Sequence, residues 1–190
     1  MRKFRLVVDL RHVNSFLLDM GMKYETLKRL RFLSRPGDWA ISFDLSDGFH
    51  AITVAEEDRK YLTFSLQGRL LRFAVLPFGL SSSPAVFCKC MATLTRLLRS
   101  PEVSTCRADL SPAQWLKLRD RLLSRPLLNY SGLRTLPFCD DYLCLFGNRE
   151  AALLGRKLID RILDFLGLDR NPGKGVWEPT QTLRHLGIDL

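Results

Sequence analysis

Two rhythms of apolar and polar residues run along the chain, and the switches between them mark out its elements. Phe4 to Leu10 is an apolar-rich run of strand length and predicts a buried strand. Residues 22–33 space their leucines as a short basic helix does. The run Ser34-Arg35-Pro36-Gly37-Asp38 stops it, because proline and glycine punctuate regular structure. Trp39 to Leu45 reads as a second strand, with Asp44 at its end. Tyr61-Leu62-Thr63-Phe64 and Leu70-Leu71-Arg72-Phe73 predict a hairpin turning near Gln67-Gly68.

The rhythm then lengthens. Leu76 to Pro84 is a loop that opens a helix, with Ser83 suited to the N-cap and Pro84 to the first helical position. Phe87, Cys90, Met91, Leu94, Leu97 and Leu98 give that helix one apolar face to about residue 99. A further helix is predicted over 112–124. Two short apolar runs flank Asp140-Asp141. Asn148 is set to cap a helix whose apolar face holds Leu153, Leu154, Leu158, Ile159, Ile162 and Leu163, and Gly167 is set to close it. Residues 176–190 predict a final short hairpin. Because the central strands are joined by hairpins, the expected class is α+β: an antiparallel sheet with helices packed on one face.

Composition narrows the class without naming a function. The chain has 190 residues, 46% of them hydrophobic, enough for a folded core rather than a disordered segment. No apolar run is long enough to span a bilayer, so no membrane partner is expected. The basic start, Met1 to Arg5, leads into a strand-like stretch rather than a signal peptide, and the expected location is cytoplasmic or nuclear. Cys88, Cys90, Cys106, Cys139 and Cys144 contain no Cys-x-x-Cys pair, and His12, His50 and His185 are scattered; neither set has zinc-site spacing. The net charge is +9, and residues 1–35 hold nine Lys and Arg against three acids. Such clustering suits either a solubilising face or a polyanionic partner.

Asp140-Asp141 is the sharpest chemical signal. Neighbouring side chains of an extended strand point to opposite faces, so one carboxylate would enter the core, where an unpaired charge costs several kcal/mol. Placing the pair at a hairpin tip relieves the conflict. The doublet then reads either as a solvated Asp-Asp turn or as two carboxylates that need a cation between them, and hard oxygen ligands suit magnesium. Asp44, at the end of its own apolar strand, tips the balance if the two strand ends lie side by side. Three carboxylates on one sheet edge can hold two divalent ions about 4 Å apart, an arrangement suited to in-line displacement at phosphorus.

Several ordered motifs now resemble the reverse transcriptases. They are Phe43-Asp44-Leu45-Ser46-Asp47-Gly48-Phe49, Leu76-Pro77-Phe78-Gly79-Leu80-Ser81-Ser82-Ser83-Pro84-Ala85-Val86-Phe87, and Phe138-Cys139-Asp140-Asp141, a variant of the family's aromatic-x-Asp-Asp box. Lys3 to Asn14 looks like the fingers strand, Gly167 to Lys174 like the palm's lysine loop, and Leu186-Gly187-Ile188 like the primer grip. The set covers nearly the whole chain. Gln67-Gly68-Arg69 ahead of Leu76 to Leu80 is similar to LTR-type and tyrosine-recombinase retrotransposons.

The resemblance implies a polymerase palm with part of a fingers subdomain: 1–38 and 50–78 as fingers, 39–49 and 79–190 as palm, with an insertion at about 100–132. It implies RNA-directed DNA polymerisation from dNTPs on a primed RNA or DNA template, with two Mg2+ ions, or Mn2+ in their place. Asp44, Asp140 and Asp141 would be the metal ligands, with the Leu45 carbonyl completing one coordination sphere. Arg5 would contact the triphosphate; Phe78 and Gly79 would flank the nucleotide. Phe49 would block a ribose 2′-hydroxyl, or else serve as plain core packing. Lys174 would protonate the leaving pyrophosphate, or else be a surface lysine after a Pro-Gly turn. Leu186 and Gly187 would hold the primer. Against the family pattern, the earlier fingers strands, a thumb and a ribonuclease H domain are missing from these 190 residues, and 100–132 is longer than a typical connection. The alternative expectation is therefore a catalytically inactive or domesticated retroelement fragment that only binds nucleic acid.

Overall fold

The computed structural model describes residues 6–22, 25–100, 111, 113 and 133–190. Arg5, the predicted helix over 112–124 and most of the 100–132 stretch lie outside the described residues. The chain divides into two compact units, one of residues 1–23 and 47–89, the other of residues 24–46 and 90–190.

The first unit is built from short pieces. A single helical turn, α1 (Arg11–Asn14), precedes the 3-10 turns Gly48–Ala51 and Arg59–Leu62. Leu10, Leu62 and Leu80 are its buried core, with Val8, Val13, Val54 and Phe73 packed against them. The predicted hairpin forms as β2 (Thr63–Leu66) and β3 (Arg69–Arg72), antiparallel, joined through Gln67 and Gly68 at φ 50° and 75°. Two successive positive φ angles make the mirror-image turn that matches strand twist, and glycine supplies one of them at no steric cost. The predicted buried strand over 4–10 does not form in its described part. Val7 makes one parallel bridge to Phe78, and Leu6 and Val7 are exposed, with only Leu10 buried. Apolar composition alone does not make a strand of a segment whose backbone bridges a neighbour at one described position.

The second unit contains the central sheet. β1 (Trp39–Asp44), β4 (Arg134–Phe138) and β5 (Asp141–Phe146) form it in the order β1-β5-β4, all antiparallel. The register puts Trp39, Ile41 and Phe43 opposite Phe146, Cys144 and Tyr142, all on one face. The long helix α4 (Arg149–Leu166) packs against β1 and β5. Its buried residues Ala152, Gly155, Leu158, Ile159, Ile162 and Leu163 recur at helical spacing. Asn148 caps it by accepting from the Ala151 N–H at 2.8 Å, and Gly167 ends it in the left-handed conformation. The sheet's other face carries Ala40, Leu136, Leu143 and Leu145, covered by Leu30, Leu33 and Leu183.

Two predicted helix starts shift. The basic segment is only a 3-10 turn, Leu27–Arg29, followed by the one-turn α2 (Leu30–Leu33); its N-terminus has no side-chain cap, and Pro36-Gly37 lies just beyond. So short a helix holds because Leu30 and Leu33 are buried, not through propensity. The helix α3 (Ser83–Arg99) begins at Ser83 itself. The Ser83 hydroxyl does not cap it but donates to the Pro77 carbonyl at 2.9 Å, fully buried. The tail hairpin forms as β6 (Arg184–His185) and β7 (Ile188–Asp189).

Candidate active site

The three acids meet through strand register. Asp44 is the last residue of β1 and is buried, 3% exposed. Asp141 is the first residue of β5 and the direct antiparallel partner of Asp44. Asp140 occupies the turn between β4 and β5. Its carbonyl accepts the Leu45 N–H at 3.0 Å, so the adjoining Asp44–Asp141 couple is the kind whose side chains approach closest. Cys139 makes this tight turn possible at φ 58°, an uncommon conformation for a residue with a Cβ.

A fourth charge sits on this edge. The loop after α4 runs beside the end of β1, where Ser46 N–H donates to the Asp169 carbonyl at 2.7 Å and Asn171 N–H to the Asp44 carbonyl at 2.8 Å. The loop brings Lys174 Nζ to 2.5 Å from Asp44 Oδ2. Asp44 is almost fully covered while Lys174 is half exposed, so the ammonium closes the site from its solvent side.

The electrostatics follow from this crowding. Burial, then the charges of Asp44 and Asp140, push the Asp141 carboxyl above its ordinary range, and Lys174 only partly offsets them. The hydrogen bond to Asp44, reinforced by all three carboxylates, raises the Lys174 pKa against the cost of desolvation. This edge therefore carries more negative charge than one ammonium neutralises. Its donor set is all oxygen, the chemistry that suits a hard divalent ion. Among the described residues, however, no three carboxylate, histidine or cysteine groups converge closely enough to hold an ion.

The remaining expected site residues fall elsewhere. Phe49, Phe78 and Gly79 belong to the first unit. Phe49 is half-buried, its ring centroid 5.3 Å from that of Phe78 and 5.5 Å from that of Phe87. Gly48 allows this cluster, since a Cβ there would lie 2.7 Å from the Phe87 ring. Gly79 has φ +94°, and a Cβ on it would come within 3.1 Å of the Val8 carbonyl. The close approach it permits is thus to the chain's own backbone. Leu186 and Gly187 form the turn of the β6–β7 hairpin at φ 48° and 83°. Leu45 is buried at the end of β1. Arg5 lies outside the described residues.

Sequence reasoning passed over three residues that organise these loops. Asn14 donates to the Gly79 carbonyl and accepts from the Ser81 N–H, both at 2.9 Å, pinning the loop before α3. Ser42 accepts the Val176 N–H at 2.9 Å, and Gly175 packs on the Ser42 carbonyl. A lone serine inside the apolar run of β1 was the legible signal for the second of these.

The family described as reverse transcriptase (RNA-dependent DNA polymerase) matches residues 1–190. The Pol polyprotein from transposon 297 of Drosophila melanogaster is 31% identical over 98 residues, half of this chain and 9% of the relative. The Gag-Pol polyprotein of Rous sarcoma virus subgroup B is 26% identical over 98% of this chain and 10% of its own length. The chain thus spans about a tenth of these relatives. Among solved structures, a foamy viral protease-reverse transcriptase in complex with double-stranded DNA superposes with a TM-score of 0.72 at 21% identity, covering 98% of this chain and 27% of that one. A foamy viral protease-reverse transcriptase with an RNA/DNA hybrid gives 0.68 at 19% identity over 96% of this chain and 20% of that one. The fold is therefore that of an α+β polymerase palm with fingers elements. No helix among the described residues is long and apolar enough to cross a membrane.

Proposed function

The chain belongs to the reverse transcriptase (RNA-dependent DNA polymerase) family, and from that membership we propose that it adds deoxynucleotides to a primer 3′-hydroxyl on an RNA or DNA template. The observation that carries this reading is the pairing of Asp44 with Asp141 across β1 and β5, with Asp140 in the adjoining turn. Three acids from distant parts of the chain on one sheet edge, two of them directly opposed, have no structural use that a solvated turn would not serve at lower cost.

Asp44 and Asp140 would be the principal ligands of two magnesium ions, or manganese in their place, with Asp141 and the Leu45 carbonyl completing the set. When bound, such ions favour ionisation of the attacking hydroxyl and neutralise charge on the leaving phosphate. The chain's own groups do the rest. Arg5 would hold the triphosphate of the incoming dNTP, where a guanidinium fork matches phosphate oxygens. Phe78 and Gly79 would flank the nucleotide. Phe49, five residues after Asp44 and braced by two other rings, would exclude a ribose 2′-hydroxyl. Lys174 would release Asp44 and pass a proton from Nζ to the departing pyrophosphate. The Leu186-Gly187 turn would steady the primer. In this reading 1–38 and 50–78 act as fingers, and 39–49 and 79–190 as palm, with an insertion at about 100–132.

The expected outcome is magnesium-dependent extension of a primed RNA template. Asp140→Asn should reduce it to background while leaving thermal stability near that of the parent; an equally active variant would reject the ligand assignment. Phe49→Ala should lower discrimination between dNTP and rNTP by about tenfold or more, as expected when a steric barrier is removed. Unchanged discrimination would leave Phe49 as core packing.

A second reading has one observation on its side: Lys174 holds Asp44 and no three-ligand cluster is formed among the described residues. In that reading the chain is an inactive retroelement fragment that binds nucleic acid. Thermal stabilisation by Mg2+ together with a dNTP supports the polymerase; salt-sensitive RNA binding with no metal effect supports the fragment.

A further inference from the structure

We propose that Gly175 and Ser42 are positioning residues that seat Lys174 on Asp44, so that the lysine loop carries a built-in ammonium which a divalent ion must displace. The proposal rests on the reading of Asp44, Asp140 and Asp141 as metal ligands.

The seat is a backbone-to-backbone contact. Gly175, at φ +75°, lies so close to β1 that a Cβ on it would stand 2.4 Å from the Ser42 carbonyl oxygen, 2.8 Å from the Ser42 carbonyl carbon and 2.9 Å from Phe43 Cα. These are fixed backbone atoms with no rotamer to move aside, and only glycine combines that left-handed conformation with that approach. One residue on, Val176 N–H donates to the Ser42 hydroxyl at 2.9 Å, and Ser42 N–H donates to the Val176 carbonyl at 2.8 Å. On the other side of Lys174, Asn171 N–H is bound to the Asp44 carbonyl. The loop is therefore tied to β1 both before and after Lys174, at residues 44 and 42 of the same strand. The side chain held between those ties reaches Asp44 Oδ2 at 2.5 Å.

Ser42 is the one hydroxyl among the residues of β1, and it is 4% exposed. A buried hydroxyl in an apolar strand requires a partner, and here the partner belongs to the lysine loop. Gly175, Ser42 and Lys174 thus form one device whose output is a cation on the most buried carboxylate of the site.

The consequence is competition. An ion binding at Asp44 must first move the ammonium, so loosening the seat should tighten metal binding even though it weakens the fold. The test is Mn2+ titration of the full 190-residue chain, followed by electron paramagnetic resonance, with no substrate present. Lys174→Ala should raise Mn2+ affinity by about fivefold, the upper range for a half-exposed ion pair. Gly175→Ala and Ser42→Ala should raise it in the same direction by about twofold or more, and neither should add to the gain in a Lys174→Ala background. Ser42→Thr, which keeps the hydroxyl, should restore the parent value. If Gly175→Ala proves unable to fold, Ser42→Ala and its threonine rescue carry the test alone. Lower affinity in Ser42→Ala, or an added effect once Lys174 is gone, would overturn the proposal and mark the contact as ordinary packing. Failure of Asp140→Asn to weaken Mn2+ binding would instead reject the metal site itself, a separate outcome.

Discussion

At the scale of single residues, the site works against its own stability. Asp141 is only half-buried, yet burial and two neighbouring carboxylates raise its pKa above the ordinary 3.8. An acid whose folded pKa is raised favours the fold below its unfolded pKa and loses that contribution as pH rises through the folded value. Without divalent ions, the chain should therefore carry a penalty at neutral pH that is absent below about pH 4. Asp141→Asn should therefore raise the melting temperature at pH 7, because it removes one of three crowded carboxylates. The gain should vanish at pH 3.5 and shrink in saturating Mg2+ or Mn2+, which stabilise the parent, with its complete ligand set, more than the variant. A variant that melts lower at pH 7 in metal-free buffer would contradict this account of the charge. The placement of these acids was legible because an Asp-Asp pair within apolar sequence is relieved at a hairpin tip, and Asp44 ends an apolar strand of its own. Lys174 was legible as a family position, but not its partner. Nothing in the spacing of residues 44 and 174 states that a loop will fold back across a strand end.

At the scale of elements, periodicity did well where an element buries a continuous face and poorly where it does not. The strands β1, β4 and β5 and the helices α3 and α4 all bury apolar stripes, and all lie close to where the alternation puts them. The run over residues 6–10 fails as a strand because its backbone bridges a neighbour at Val7 alone, although Val8 and Leu10 join the first unit's core. Close packing between elements was also out of reach of sequence. Gly155 lies inside α4, where glycine costs about 1 kcal/mol relative to alanine. Its value is proximity, because a Cβ there would come within 2.2 Å of Cε1 of Phe146 on β5. Gly155→Ala should therefore destabilise the chain by about 1–3 kcal/mol in chemical denaturation despite better helix propensity, the usual cost of overpacking. A more stable alanine variant would mean that helix and sheet are not in this tight contact. Asn148→Ala should cost about 1 kcal/mol through loss of the cap.

At the scale of the whole molecule, the order of motifs carried more information than any one of them. Each box alone is a short loop or strand end; they succeed one another from residue 3 to residue 188, and the family matches residues 1–190 of the chain. Charge belongs to this scale as well. The net +9 predicts that binding to a primed RNA template weakens by about tenfold or more between 50 and 200 mM salt, as counterions released from the phosphates are paid back. Salt-independent binding would remove the backbone from the interaction. The central proposal is spatial and chemical at once: Asp44, Asp140 and Asp141 would share divalent cations on one sheet edge. Anomalous diffraction from crystals of the chain grown with Mn2+ tests it most directly. The account predicts manganese density at the Asp44 and Asp140 carboxylates, with the Lys174 ammonium moved off Asp44. Manganese absent from that edge at saturating concentration, with Lys174 still bound to Asp44, would contradict it.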